Sequence, residues 1–179
     1  MCNNLDNVCL AVEQLKDIVA PKFNFIFTTV GLSQSLRKYI SEYSHLPINW
    51  HWSLISLIPS IRGWLMPGVR YENLYELRAA FEKISMLAGK TITASWTLIK
   101  GVNDREKDAV MIAKFLNNRP FTLKLMALVD GSFDDVVTTD QDVEEFKKIC
   151  LDAGVTIPIR IKKIFGKNIA SGCGNVATT

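Results

Sequence analysis

The sequence predicts an α/β fold built on a parallel sheet of about five strands. Three observations carry this expectation. Apolar residues recur alternately at helical and at extended spacing from one end of the chain to the other. The turns between these segments are short and are marked by glycine, proline or a capping residue. No linker, repeat or low-complexity stretch divides the 179 residues, so 1–179 reads as one domain with a C-terminal tail over 166–179.

Each element has its own signal. Leu5, Val8, Cys9, Val12, Leu15 and Val19 fall at helical spacing and predict a helix over 5–19. Residues 22–30 read as a strand with Phe23, Phe25 and Phe27 on one face, and Gly31 breaks it. Ser33 is placed to cap a helix carrying Leu36, Ile40 and Tyr43. Residues 48–58 form the next extended run, with Trp50, Trp52, Leu54 and Ile55, and Pro59 and Pro67 bracket a short irregular or helical piece. A helix over 73–87 buries Leu74, Leu77, Phe81 and Ile84 and stops at Gly89. Residues 91–99 are β-branched and extended. Asn103 and Glu106 have the spacing of a capping box for a helix ending at Leu116. Residues 121–129 form a further strand, Thr139 or Asp140 opens a helix ended by Gly154, and 155–161 is the last strand. Alternation of this kind fits an open doubly wound sheet or part of a β/α barrel.

Composition narrows the function. Hydrophobic residues make up 48% and charged residues 22%, ordinary for a soluble globular domain. No secretory leader opens the sequence and no apolar run is long enough to cross a bilayer, so a cytoplasmic protein without membrane contact is expected. The four cysteines, Cys2, Cys9, Cys150 and Cys173, are dispersed, which argues against a disulfide framework and a zinc site. A glycine-rich dinucleotide fingerprint and a P-loop are both missing. Net charge is only +3, too little to argue nucleic-acid binding, but no acidic residue follows Asp152 while Arg160, Lys162, Lys163 and Lys167 do. These four are candidate RNA phosphate contacts. Trp50 and Trp52 are candidate stacking surfaces, with core packing the preferred role. His45 and His51 have no partner at ligand spacing, and Asp140 and Asp142 read as helix caps. Asp134 and Asp135 fall in a loop and give a hydrolase no further support. Cys173 lies between Gly172 and Gly174, sterically open, and the basic run before it favours the thiolate.

The order of short motifs adds a resemblance. Asn4-Leu5-Asp6-Asn7-Val8, Thr28-Thr29-Val30-Gly31, Ser53-Leu54, Leu65-Met66-Pro67, Leu98-Ile99-Lys100-Gly101-Val102-Asn103-Asp104 and Cys173-Gly174 follow one another with few gaps. In this order they resemble the C-terminal half of the radical-SAM RNA methyltransferases that methylate carbon-2 of adenine, the RlmN/Cfr family. The resemblance implies a partial radical-SAM barrel of parallel strands ringed by helices. It implies S-adenosylmethionine (SAM) as cofactor, with Thr28, Ser53 and Leu54 as contacts. It also implies RNA, ribosomal or transfer, as partner, and Cys173 as the methyl-carrying cysteine.

Departures from the pattern are equally specific. The family's C-x-x-x-C-x-x-C motif is missing from these residues, so its 4Fe-4S cluster is not expected in this chain. The Gly-Glu-Pro motif is missing too. Ile55 stands at the place of a SAM-contacting histidine, Val129 at that of an asparagine, and Lys167 and Asn168 at that of acidic residues. The expected function is therefore a truncated, diverged methyltransferase-like protein that binds SAM or RNA without radical catalysis of its own. Two alternatives stay open: an active adenine-C2 methyltransferase whose cluster-binding half is separate, and a non-catalytic protein-interaction module. A half-barrel would also leave the aromatic faces of its first two strands uncovered, which predicts a homodimer or a protein partner.

Overall fold

The structure, a computed structural model, describes residues 4–19, 24–69, 71–128 and 138–163. Helix α1 (Leu5–Val19) leads into β1 (Phe25–Thr29), and α2 (Ser33–Lys38) continues as a single π turn over Tyr39–Tyr43. Strand β2 (Ile48–Ser53) is followed by α3 (Pro59–Leu65), a 3-10 turn at Pro67–Val69 and α4 (Leu74–Ala88). The rest alternates as β3 (Ile92–Leu98), α5 (Glu106–Leu116), β4 (Phe121–Ala127), α6 (Asp140–Asp152) and β5 (Ile159–Lys162).

All five strands are parallel and lie in the order β1-β2-β3-β4-β5. Right-handed crossovers that always step the same way put every connecting helix on one side of the sheet. A doubly wound sheet would reverse its order once; this one does not, so the architecture is barrel-like and the sheet has a helix-covered face and an open face, meaning one that no described helix covers.

Strand parity divides the side chains between those faces. Phe27, Trp50, Trp52, Ala94, Trp96, Leu98, Leu123 and Leu125 form the core under the helices. Trp52 stacks on Phe81 of α4 at 4.9 Å, and Trp50 meets Tyr39 edge-on at 4.7 Å. The aromatic faces of β1 and β2 are thus closed by α2 and α4, not left for a partner, and neither tryptophan offers a surface for base stacking.

Two expected caps are corrected. Ser33 is the first residue of α2, and its backbone N–H donates to Glu72 Oε2 at 3.1 Å. Helix α5 is capped by Arg105, whose backbone N–H donates to Asp108 Oδ2 at 3.2 Å. Thr139 caps α6, and Asn73, read as the first residue of its helix, instead caps α4. Strand β2 also ends earlier than expected. The backbone N–H groups of Leu54 and Ile55 both reach Ser95 O, at 2.9 and 3.4 Å, and the chain then turns away with Ile55 at φ 59. β5 starts later, since Pro158 cannot donate to a ladder, although its carbonyl accepts from Leu123 N at 2.9 Å.

Candidate functional site

The open face is built by register. Pairing of β1 to β4 places Thr28, His51, Thr93 and Thr122 in one transverse row. The next row along the strands holds Ser53, Ser95, Lys124 and Arg160, and the one beyond it Thr97, Met126 and Lys162. Each of these residues alternates with a core residue, so the rows point away from the helices. The face is therefore polar and hydroxyl-rich at β1 to β3 and cationic at β4 and β5.

Thr28 and Ser53, singled out separately in the sequence, lie on adjacent strands two register positions apart, about 8 Å between their Cα atoms from strand geometry. Arg160 and Lys162 share the same face and are exposed, and Lys163, just past β5, is exposed as well. Leu54 is fully buried, its backbone N–H donates to Ser95 O and its carbonyl accepts from Ser56 N. Cys173, Lys167, Val129, Asp134 and Asp135 lie outside the described residues.

His51, Ser95, Thr93, Thr122 and Lys124 were not among the sequence candidates. Their signal was present as polar residues alternating with buried ones, but only cross-strand register shows that they converge. Burial, and next the Lys124 ammonium, push the His51 imidazole below its ordinary range, so the ring is neutral near pH 7. His45, in contrast, sits away from the sheet and meets Glu13 Oε2 at 3.0 Å.

The edge of the face next to Ser53 is held by one buried amide. Asn103 donates Nδ2 to Ile55 O and to Thr97 O, both at 2.9 Å, and its Oδ1 accepts from Ile99 N at 2.7 Å. A β-branched residue at positive φ is a strained arrangement. At Ile55 the bond from Asn103 and the shared Ser95 carbonyl hold it in place.

Among the described residues the donor set does not suit an iron–sulfur cluster. No group of three or more His, Cys, Asp or Glu converges among the described residues. Burial pushes the Cys9 and Cys150 thiols up to about 11 and about 12, away from the thiolate a cluster needs.

Known proteins of this shape sharpen the picture. The dual-specificity RNA methyltransferase RlmN of Geotalea uraniireducens is 29% identical over 175 residues, covering 97% of this chain and 50% of that protein. RlmN of Rhodospirillum rubrum is 30% identical over 179 residues, covering 97% of this chain and 40% of its own length. The chain resembles the C-terminal half of the RlmN-type RNA methyltransferases. The crystal structure of a radical SAM methyltransferase from Sphaerobacter thermophilus superposes with a TM-score of 0.80 at 23% identity, over 97% of this chain and 51% of that one, and establishes the fold. A domain of pyruvate-formate lyase-activating enzyme from Bacteroides vulgatus superposes more loosely, at a TM-score of 0.56 and 16% identity, over 86% of this chain and 92% of that one. No family model matches the chain. The chain spans about half the length of these RlmN relatives, 50% and 40%. No helix among the described residues is long and apolar enough to cross a membrane.

Proposed function

We propose that this chain is an RNA-binding module with the half-barrel fold of a radical-SAM methyltransferase, and that it performs no radical chemistry by itself. The observation that carries the reading is the cationic side of the open face, where Lys124, Arg160 and Lys162 meet the hydroxyl rows. Arg160, Lys162 and Lys163 supply phosphate contacts at its rim. Similarity to proteins named as RNA methyltransferases supports RNA as the partner. The unsuited donor set and the buried Leu54 speak against SAM chemistry in these residues. A second reading, in which a separate chain brings the cluster-binding part and Cys173 carries the methyl group, is favoured by the coverage of half of each relative.

Fluorescence anisotropy of the full chain with labelled single-stranded, 5′-hydroxyl RNA tests the first reading. Binding should weaken linearly in log salt. Replacing Arg160, Lys162 and Lys163 together by alanine should reduce that slope by about 2, as expected for three lost single-strand phosphate contacts. A slope unchanged by the triple substitution, or no binding at low salt, would overturn it. Methyl transfer to RNA on adding a cluster-bearing complementary chain, lost in Cys173→Ala, would establish the second reading.

A further inference from the structure

We infer that the cavity formed by α3 and the start of α4 binds one unpaired guanine nucleotide of an RNA strand, with Arg62 and Glu72 reading the base and Tyr75 stacking on it. This rests on the chain being an RNA-binding module and adds base selectivity to that reading.

The first ground is an unfinished hydrogen-bond shell. Arg62 is only 3% exposed, and it lines a cavity of about 300 Å³ whose apolar wall includes Leu57, Val69 and Leu74. Apolar walls with a few polar groups among them are the usual make-up of a small-molecule site. Nη2 of Arg62 donates to Val30 O, whereas Nε and Nη1 are buried without a hydrogen-bond partner. Idle donors on a buried guanidinium are costly until an acceptor reaches them. Burial pulls this guanidinium down to about 10, and the Glu72 carboxylate acts in the opposite direction as its counter-charge. Glu72 lines the same cavity, and the Ser33 amide holds its Oε2 at 3.1 Å. The cavity therefore presents donors and an acceptor side by side, with little net charge. A phosphate is disfavoured there by Glu72, and a neutral group that both accepts and donates is favoured.

The second ground is the rim. Asn73 Oδ1 accepts from Tyr75 N and Glu76 N at 2.9 and 3.3 Å, which fixes the first turn of α4. The Tyr75 ring meets Phe115 edge-on at 5.4 Å and carries the Arg78 guanidinium 5.1 Å from its centre, yet the residue is 67% exposed. An aromatic side chain that is held in place and still open suits base stacking. An adjoining cavity of about 150 Å³ shares Leu57, Leu74 and Tyr75 with the first and is bordered by the exposed Lys114. Lys114 gives this second space a cation for the phosphate of the same nucleotide.

The choice of base follows from the pair of polar groups. Guanine accepts at O6 and N7, the commonest pairing for arginine, and its neighbouring N1–H and N2–H₂ donate to a carboxylate. Adenine offers Arg62 ring nitrogens alone, and uracil sets carbonyl oxygens on both sides of its single N–H. Unpaired bases in single strands expose these edges fully.

Fluorescence anisotropy of the full chain tests the site with short labelled 5′-hydroxyl oligoadenylates whose central base is G, A, C or U. The guanine strand should bind at least tenfold more tightly than the other three. Arg62→Met should reduce that preference to under threefold, and Glu72→Gln should lower it at least threefold. Tyr75→Ala should weaken the guanine strand at least fivefold. Tyr75 is exposed, so its substitution carries the test should Arg62→Met fail to fold, as judged by circular dichroism. Equal affinity for all four strands, or Tyr75→Ala leaving the guanine strand unaffected, would overturn the inference. Base-indifferent, salt-dependent binding that weakens when Arg160, Lys162 and Lys163 become alanine would remove this site and leave the RNA-binding reading standing. Calorimetry with guanosine covers the converse. Saturable guanosine binding, weakened by Glu72→Gln, in a chain that binds none of the strands would refute the RNA reading and reassign the cavity to free nucleosides.

Discussion

Asn103→Ala removes a side chain that is 0% exposed and makes three hydrogen bonds. The substitution strands the buried N–H of Ile99 and the half-buried carbonyls of Ile55 and Thr97. At about 1 to 1.5 kcal/mol for each group left without a partner, the loss is about 3 to 4.5 kcal/mol. The backbone bond from Trp96 Nε1 to Asn103 O, at 3.0 Å, survives the change and is not counted. For a domain of this size the melting temperature should fall by roughly 2 to 4 °C per kcal/mol. Had Asn103 been the helix cap that its spacing to Glu106 suggests, the cost would be only about 1 kcal/mol. Urea unfolding followed by tryptophan fluorescence separates the two. A loss of about 1 kcal/mol or less would refute the role described here. Asn103→Asp is the control: it keeps the acceptor for Ile99 but turns carboxylate oxygen toward two carbonyls, and should cost at least as much.

The Lys100 ammonium, then the Thr139 hydroxyl and amide, hold the Asp142 carboxyl down to about 2. Its stabilising contribution is complete above the ordinary aspartate range of about 4 and is lost as pH falls through the lowered value, so Asp142→Asn should flatten acid unfolding in that window. His51 should titrate by NMR below its reference value of 6.5, and Lys124→Met should move the midpoint upward while burial still keeps it low. An unmoved midpoint would place the Lys124 ammonium elsewhere. In a chain carrying Cys2→Ser and Cys173→Ser, Cys9 and Cys150 should be silent to a thiol reagent at mildly alkaline pH and react fully in guanidinium, because burial holds both thiols protonated. Gly31→Ala should destabilise, since the residue sits at φ +86 and an added Cβ would lie 3.0 Å from Trp52 Nε1 and 3.2 Å from Leu77 Cδ1; an unchanged urea midpoint would contradict that packing.

What was legible in the sequence was local or strongly periodic. The core stripe of α4, the opening of α6 at Thr139 and the stop at Gly89 all depend on neighbours within a turn. Ser33 and Asn103 were misread because their decisive partners, Glu72 and Ile55, lie far away along the chain. Thr28, Ser53, Arg160 and Lys162 could each be marked as polar positions. That they share a face is a property of register, which no single segment contains. Lys124 was passed over as one polar residue inside an apolar strand, although its flanks, Leu123 and Leu125, already assign it to the opposite side.

The division of every strand into a packed side and an outward side also governs how this chain can change. Substitution at Thr28, Ser53 or Arg160 leaves the tryptophan-rich layer untouched, so these positions can change at small cost to folding. Deleting one residue within β3 has the opposite effect. It exchanges the two sets, turning Trp96 toward water and Thr97 into the hydrocarbon layer, because the alternation has a period of two. Point changes and length changes therefore face different selection in this sheet: the first can alter the outward face, and the second removes the fold.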